Sequence, residues 1–202
     1  MGPIINDQVV PAKVMEQILK DAIQEHLTSF RLFSGSQHGF MPGQSCTTNL
    51  LEHMNFVTRS LDGGQSYDTI LLDYKRAFDK VPFRHMLAKV RSHGIGGRIL
   101  DWISNWMKDR AQRVVLNGKQ SDLIDVTSSV VQGSVLGPIL FIMYINDLDA
   151  SINGANKVHI SKFADDTKLS KTITSLDDSQ KLQAALNETV QWSKRWGMEL
   201  HP

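Results

Sequence analysis

Three carboxylates carry the chemistry that this sequence offers. Asp73 ends an apolar stretch, YDTILLD over 67–73, that reads as a buried strand. Asp165 and Asp166 fall between two segments, 157–163 and 167–172, that read as a hairpin with the acids at its turn. Acids at strand ends are well placed to converge. Crowded carboxylates repel, and a hard divalent cation with oxygen ligands relieves that repulsion. Two such ions held about 3.5 to 4 Å apart activate an attacking hydroxyl and steady a leaving pyrophosphate, the logic of nucleotidyl transfer. Paired aspartates also occur in turns simply because Asp tolerates turn geometry. Spacing by itself does not decide between the two.

The elements that must position these acids follow from periodicity. Val14, Ile18, Leu19, Ala22, Ile23 and Leu27 lie at helical spacing within 11–28, with Pro11 near the first turn. A second helix is expected over about 47–61, stopped by Gly63-Gly64, after a Gly/Ser/Pro-rich stretch at 34–45. Pro82 suits the start of a helix whose Phe83, Leu87 and Val90 share a stripe ended by Gly94, and another helix covers about 98–108. Segments 112–116 and 122–127 read as a hairpin around Asn117-Gly118, with a loop longer than two residues. The apolar run from Val135 to Leu148, opened by Gly137-Pro138, reads as a buried helix. Ser175 or Asp177 caps a last helix bearing Leu182, Leu186 and Val190, which Gly197 ends. With no repeat and no linker, strands interspersed with helices give an α+β layer structure.

Composition narrows the function classes. The 202 residues are 41% hydrophobic and carry a net charge of +1, which suits a globular domain with a real core and excludes a disordered tail. No run of about eighteen apolar residues is available to span a bilayer, so no membrane partner is expected. Charged residues among the first twenty argue against a signal peptide. The single cysteine, Cys46, excludes an internal disulfide and a multi-cysteine zinc site, which makes an intracellular setting the expectation. Seven histidines form no His-x₃-His or His-Cys cluster, so zinc is not expected. Trp102 with Trp106 and Trp192 with Trp196 stand four apart, as packing residues do. The near-neutral net charge hides an asymmetry. Lys75 to Lys119 holds eleven basic residues against three acids, a segment charge of +8 that leaves −7 for the remainder. Such a run is either a set of solvated helix faces or a basic surface for phosphates, with Arg110 and Arg113 the candidates near the presumed hairpin.

The acids lie within longer strings: LDYKRAFDKVP at 72–82, VQGSVLGPILFIMYINDL at 131–148 and KFADDTKL at 162–169. Together these resemble the reverse transcriptases of non-LTR (LINE- and jockey-like) retrotransposons, matching that family's motifs A, B and C in order. The likeness extends through QHGF at 37–40 with GQSCTTNLLE, through 93–121, and through LNETVQWSKRWGMEL near the end. The resemblance implies a polymerase palm, an antiparallel sheet backed by helices, over about 67–202, with partial fingers over about 1–66 and no thumb. It implies RNA-directed DNA polymerase activity with an RNA template, a DNA primer and dNTPs as partners, and two Mg²⁺ or Mn²⁺ ions as cofactors. By the same resemblance Asp73 and Asp165 are the principal metal ligands and Asp166 assists. Phe78 is the steric gate that crowds a ribose 2′-OH. Gln132 and Gly133 form the loop over the incoming nucleotide.

Some positions depart from the family pattern. Gly2-Pro3-Ile4 aligns with a segment that reads Arg-Pro-Ile, whose arginine grips the triphosphate, Ile5 to Ala12 matches poorly, and Gln44 stands where an arginine is frequent. The chain stops at His201-Pro202, short of a motif D lysine and a thumb, and no endonuclease segment precedes the match. The expectation is a truncated or degenerate copy with low or no activity alone. The alternative is a non-catalytic RNA-binding or complex-forming remnant. A palm-fold nucleotide cyclase also uses paired carboxylates on a hairpin, but the QGSVLGP string and the absence of a GGDEF-like turn argue against it.

Overall fold

The computed structural model describes residues 10–152, 154 and 156–201. The departures at Gly2-Pro3-Ile4, and most of the poorly matching stretch after them, lie outside the described residues. The chain forms two compact units, each drawn from two sequence segments. One comprises the chain through Leu32 with Phe78–Tyr144, and the other Phe33–Ala77 with the chain from Ile145 onward.

The second unit carries the main sheet. Strands β1 (Ser66–Leu72), β6 (His159–Phe163) and β7 (Asp166–Ile173) form an antiparallel sheet in the order β1-β7-β6. Side chains alternate between the faces of a strand, and the contacts separate by parity. From α2 (Cys46–Asp62), Asn49 reaches Ser161 and Lys168, Ser60 reaches Thr172, and Phe56 stacks on His159. On the opposite parity, Lys171 reaches Asp178 of α7 (Leu176–Trp196), which also packs on α6 (Leu148–Ile152). The sheet is therefore sandwiched between α2 and α7, the antiparallel sheet backed by helices that the α+β expectation called for. Ser175 caps α7, with Asp178 completing a reciprocal capping box.

Two expectations about strands need correction. The 67–73 stretch is not buried on both faces, because β1 is an edge strand and Leu71 is 72% exposed. Asp166 is not in the hairpin turn. Phe163 pairs with Asp166, which makes Ala164-Asp165 the two-residue turn and Asp166 the first residue of β7.

The first unit is mainly helical: α1 (Val10–Ser29), α3 (Phe83–Ser92), α4 (Gly97–Met107) and α5 (Gly137–Ile145), which runs to the start of the second unit. α3 and α4 pack together, and His26 of α1 bonds the His93 carbonyl at 2.8 Å. The 111–125 hairpin has two short ladders, β2 (Ala111–Gln112) with β5 (Ile124–Asp125) and β3 (Val115–Leu116) with β4 (Lys119–Gln120). Its turn is shorter than expected. Leu116 pairs with Lys119, so Asn117-Gly118 is a two-residue turn with positive φ at both positions, the type I′ geometry that matches strand twist. The apolar run 135–148 is helical only through Ile145 and resumes as α6. Among the described residues no helix is long and apolar enough to cross a membrane.

Candidate active site

The three acids meet at one end of the sheet. β1 and β7 pair Leu72 with Thr167, and that register continued by one residue sets Asp73 opposite Asp166. Asp165 occupies the adjoining turn. The segment after β1 is held by the chain's far end: His201 N donates to Asp73 O (2.8 Å), Lys75 N donates to Glu199 O (2.7 Å), and Tyr74 pairs with Leu200. Asp73 and Asp166 are exposed and Asp165 is half-buried. The Asp165 carboxyl is held above the ordinary aspartate range, chiefly by burial, with the charges of Asp166 and Asp73 pushing the same way against an opposing backbone hydrogen bond. Tyr74 is buried, and its hydroxyl has no hydrogen-bond partner among the described residues. Burial, and then the nearby Asp165 charge, push the Tyr74 pKa well above the ordinary tyrosine value, so the hydroxyl stays protonated.

The remaining expected site residues lie in the first unit. The Phe78 ring is half-buried and stacks on Phe141 (centroids 4.2 Å, 17°), while its carbonyl accepts from Val130 N at 2.6 Å. Gln132 and Gly133 are exposed and form a turn closed by Ser134 N to Val131 O at 3.2 Å. Gly133 has φ of 75°, the value a turn of this kind demands at its third residue and that glycine adopts freely. The Gln132 amide donates to Asp79 Oδ1 at 2.8 Å.

Arg110 and Arg113 differ. Arg113 is exposed on the hairpin. Arg110 Nε donates to Trp106 O (2.6 Å), and its guanidinium lies 4.6 Å from the Trp106 ring centroid. The basic run is likewise mixed: Lys89 is buried and Lys75 pairs with Glu199, whereas Arg84, Arg91, Arg98 and Lys119 face solvent. Both tryptophan pairs include packing contacts. Trp102 and Trp106 stack on each other, and buried Trp192 meets Tyr74 edge-on and bonds Asp147.

Sequence reasoning missed two long-range groups. Buried Glu16 accepts from Trp106 Nε1 (2.9 Å), Val135 N (2.8 Å) and Leu136 N (3.3 Å), anchoring the entry to α5 directly after the Gln132-Gly133 turn. Nothing in its local sequence marks it, and only its tertiary partners reveal its role. Glu52 gathers His38 (2.5 Å) and His159 (3.6 Å) from separate elements, a cluster invisible to local spacing.

The family described as reverse transcriptase (RNA-dependent DNA polymerase) matches residues 7–202. The chain belongs to the reverse transcriptase family. Within that family it is 23% identical over 202 residues to a probable RNA-directed DNA polymerase from transposon BS of Drosophila melanogaster, covering 95% of this chain and 22% of the relative. It is 25% identical over 194 residues to the RNA-directed DNA polymerase from mobile element jockey of Drosophila funebris, covering 94% and 21%. A Pol polyprotein from the type-1 retrotransposable element R2 of Popillia japonica is 28% identical over 162 residues, covering 76% and 26%. This reverse transcriptase chain thus spans about a fifth to a quarter of the length of the curated relatives it matches. Among solved structures, apo telomerase from Candida tropicalis superimposes with a TM-score of 0.63 at 12% identity, covering 95% of this chain and 35% of the telomerase chain. At that identity the likeness shows the fold alone.

Proposed function

We propose that this domain performs template-directed transfer of deoxynucleotides to a primer 3′-OH on an RNA template, with Asp73 and Asp165 as the metal-holding residues. The observation that carries the reading is the register that brings Asp73 beside Asp165-Asp166, acids separated by about ninety positions in the chain. Family membership supports it. The donor set also fits a hard divalent cation. Carboxylate oxygens are the ligands Mg²⁺ and Mn²⁺ prefer, and the mutual repulsion at Asp165 is what a cation would relieve. Among the described residues no three His, Cys, Asp or Glu side chains form a ready-made metal cage. Mg²⁺ sites of phosphoryl-transfer enzymes commonly take one or two carboxylates and complete their shell with substrate phosphates, which is the arrangement proposed.

Two bound Mg²⁺ or Mn²⁺ ions would supply activation of the attacking hydroxyl and charge neutralisation at the leaving pyrophosphate. The primer oxygen bonds to the α-phosphorus, the bond to the β-phosphate bridge breaks, the hydroxyl proton leaves to solvent, and pyrophosphate departs. Asp73 and Asp165 would hold the ions, with Asp166 assisting at the metal site or the primer end. Gln132 and Gly133, which the resemblance assigns to the incoming nucleotide, form an exposed turn in which a glycine allows close backbone approach. Arg113, exposed on its hairpin, is the better phosphate contact of the two arginines, because Arg110 is committed to Trp106. The resemblance aligns Gly2 with an arginine that grips the triphosphate, so addition is expected to be slow.

In a complex with primed RNA template and a non-reactive dNTP, Mn²⁺ is expected to broaden the amide resonances of residues 72–74 and 163–167 first. Broadening that spares both segments would contradict the assignment. Phe78 supplies a specificity test. Truncation to Phe78→Ala opens space beside a ribose 2′-OH and is expected to raise ribonucleotide relative to deoxynucleotide incorporation at least tenfold, read as the ratio of kcat/KM values.

A further inference from the structure

We propose that Gln37 is a positioning residue for the catalytic turn, gripping Ala164 so that Asp165 is presented toward Asp73. This inference rests on the function proposed above. It arises from the QHGF string at 37–40, to which no chemistry attached on sequence alone.

Gln37 is 2% exposed. Its Oε1 accepts from Ala164 N at 2.9 Å and from Gly39 N at 2.7 Å, and its Nε2 donates to Ala164 O at 3.2 Å. One amide side chain therefore satisfies both the donor and the acceptor of Ala164. A primary amide is suited to this, since it offers a carbonyl with two lone pairs and an NH₂ group. Ala164 has φ of 55°, the left-handed region that a residue with a Cβ enters only at a cost. Left unheld, it would relax toward negative φ and re-aim the residue that follows, which is Asp165.

The grip is itself fixed to the sheet. Lys162 N donates to Ser36 O (2.7 Å), His38 N donates to Lys162 O (2.9 Å), and Gln37 pairs in parallel with Lys162. Residues 36–38 thus extend the sheet beyond its β6 edge and carry the amide to the turn. Gly39 closes the arrangement. A Cβ there would stand 2.2 Å from Ala164 N, so only glycine admits the approach. Gln37 and Gly39 act through the turn and touch no reacting atom in this account.

The test compares the full chain with Gln37→Ala, the near-isosteric Gln37→Glu and Gly39→Ala. Hydrogen exchange of the Ala164 and Asp165 amides, measured without nucleotide, is expected to accelerate at least tenfold in Gln37→Ala, with exchange in α7 unchanged. In single-nucleotide addition on primed RNA, kcat is expected to fall ten- to a hundredfold, with KM for dNTP and RNA affinity within twofold. Gln37→Glu removes the Nε2 donor and adds a charge, so it should fall at least as far, and it stands in should Gln37→Ala fail to fold. Unchanged exchange at Ala164 would overturn the proposal. So would unchanged kcat, or a kcat loss that tracks loss of RNA affinity and of Tm. Should the wild-type chain add no nucleotide at all, the proposed function fails, while the exchange measurement still decides whether Gln37 holds the turn.

Discussion

Asp165→Asn is expected to lower the rate of nucleotide addition at least a thousandfold while raising the melting temperature. The two effects have one origin. Asp165 is half-buried beside Asp166 and Asp73, and both burial and like charge disfavour its ionised form. In a site completed by metal and triphosphate, that unrelieved charge would be the source of cation affinity, and metal-centred charge stabilisation accounts for much of the rate in phosphoryl transfer. In the chain without ligands it is a liability. Its folded-state titration lies above the unfolded value, so between those two values the native state binds more protons and stability rises as pH falls. At neutral pH the carboxylate costs stability, and the uncharged amide removes that cost. The same shift makes protons compete for Asp165 at higher pH than at an ordinary aspartate, so activity should decline earlier on acidification. Thermal melts and single-turnover addition on one preparation check both halves. A variant that loses activity and stability together would show that Asp165 is a packing residue.

The second large effect concerns the framework beneath that turn. Lys162 of β6 is fully buried, and its ammonium meets Asp149 Oδ1 at 2.5 Å, while Ser34 and Ser36 donate to Asp149 Oδ2. Removing one partner of a buried pair leaves an uncompensated charge, and Asp149→Ala is expected to cost about 3 to 5 kcal/mol in urea unfolding. The pH dependence identifies the cause. Burial already lowers the Lys162 pKa, and loss of Asp149 removes the attraction that opposes this shift. Between the lowered value and that of the unfolded chain the native state binds fewer protons, so stability rises with pH and the deficit of the variant should shrink in alkaline solution. Adding Lys162→Met should recover most of the loss even at neutral pH, because no charge is then left buried. A deficit independent of pH and not relieved by the double change would point to lost packing instead.

The contrast between these two sites shows what was legible in the amino-acid order. Asp73, Asp165 and Asp166 could be singled out because chain neighbours mark them, an apolar run before one and alternating segments around the others. Helices α1, α2, α3, α4 and α7 lie where apolar periodicity sets them, and α2, α3 and α7 end near the expected glycines, since those are local properties, whereas the single helix expected over 135–148 is α5 followed by a separate α6. An apolar run does not reveal whether its strand is central or at an edge, and Leu71 of the edge strand β1 faces solvent. Assigning Asp166 to the turn was an error of one register step, which only the Phe163–Asp166 pairing corrects. Glu16, Gln37, Asp149 and Lys162 gave no local signal, since their partners lie far away in sequence. Polar residues that brace a site from beneath are chosen by tertiary geometry, and their chemistry is ordinary until that geometry is known.

We propose that this chain holds the nucleotidyl-transfer centre of a reverse transcriptase. The most direct test is single-nucleotide addition by the purified 202-residue protein to a DNA primer annealed on RNA, in Mn²⁺, with each of the four dNTPs supplied separately. The account predicts slow extension by one nucleotide, only with the dNTP complementary to the template and with release of pyrophosphate. RNA binding without any extension, even after long incubation at saturating dNTP, would contradict it.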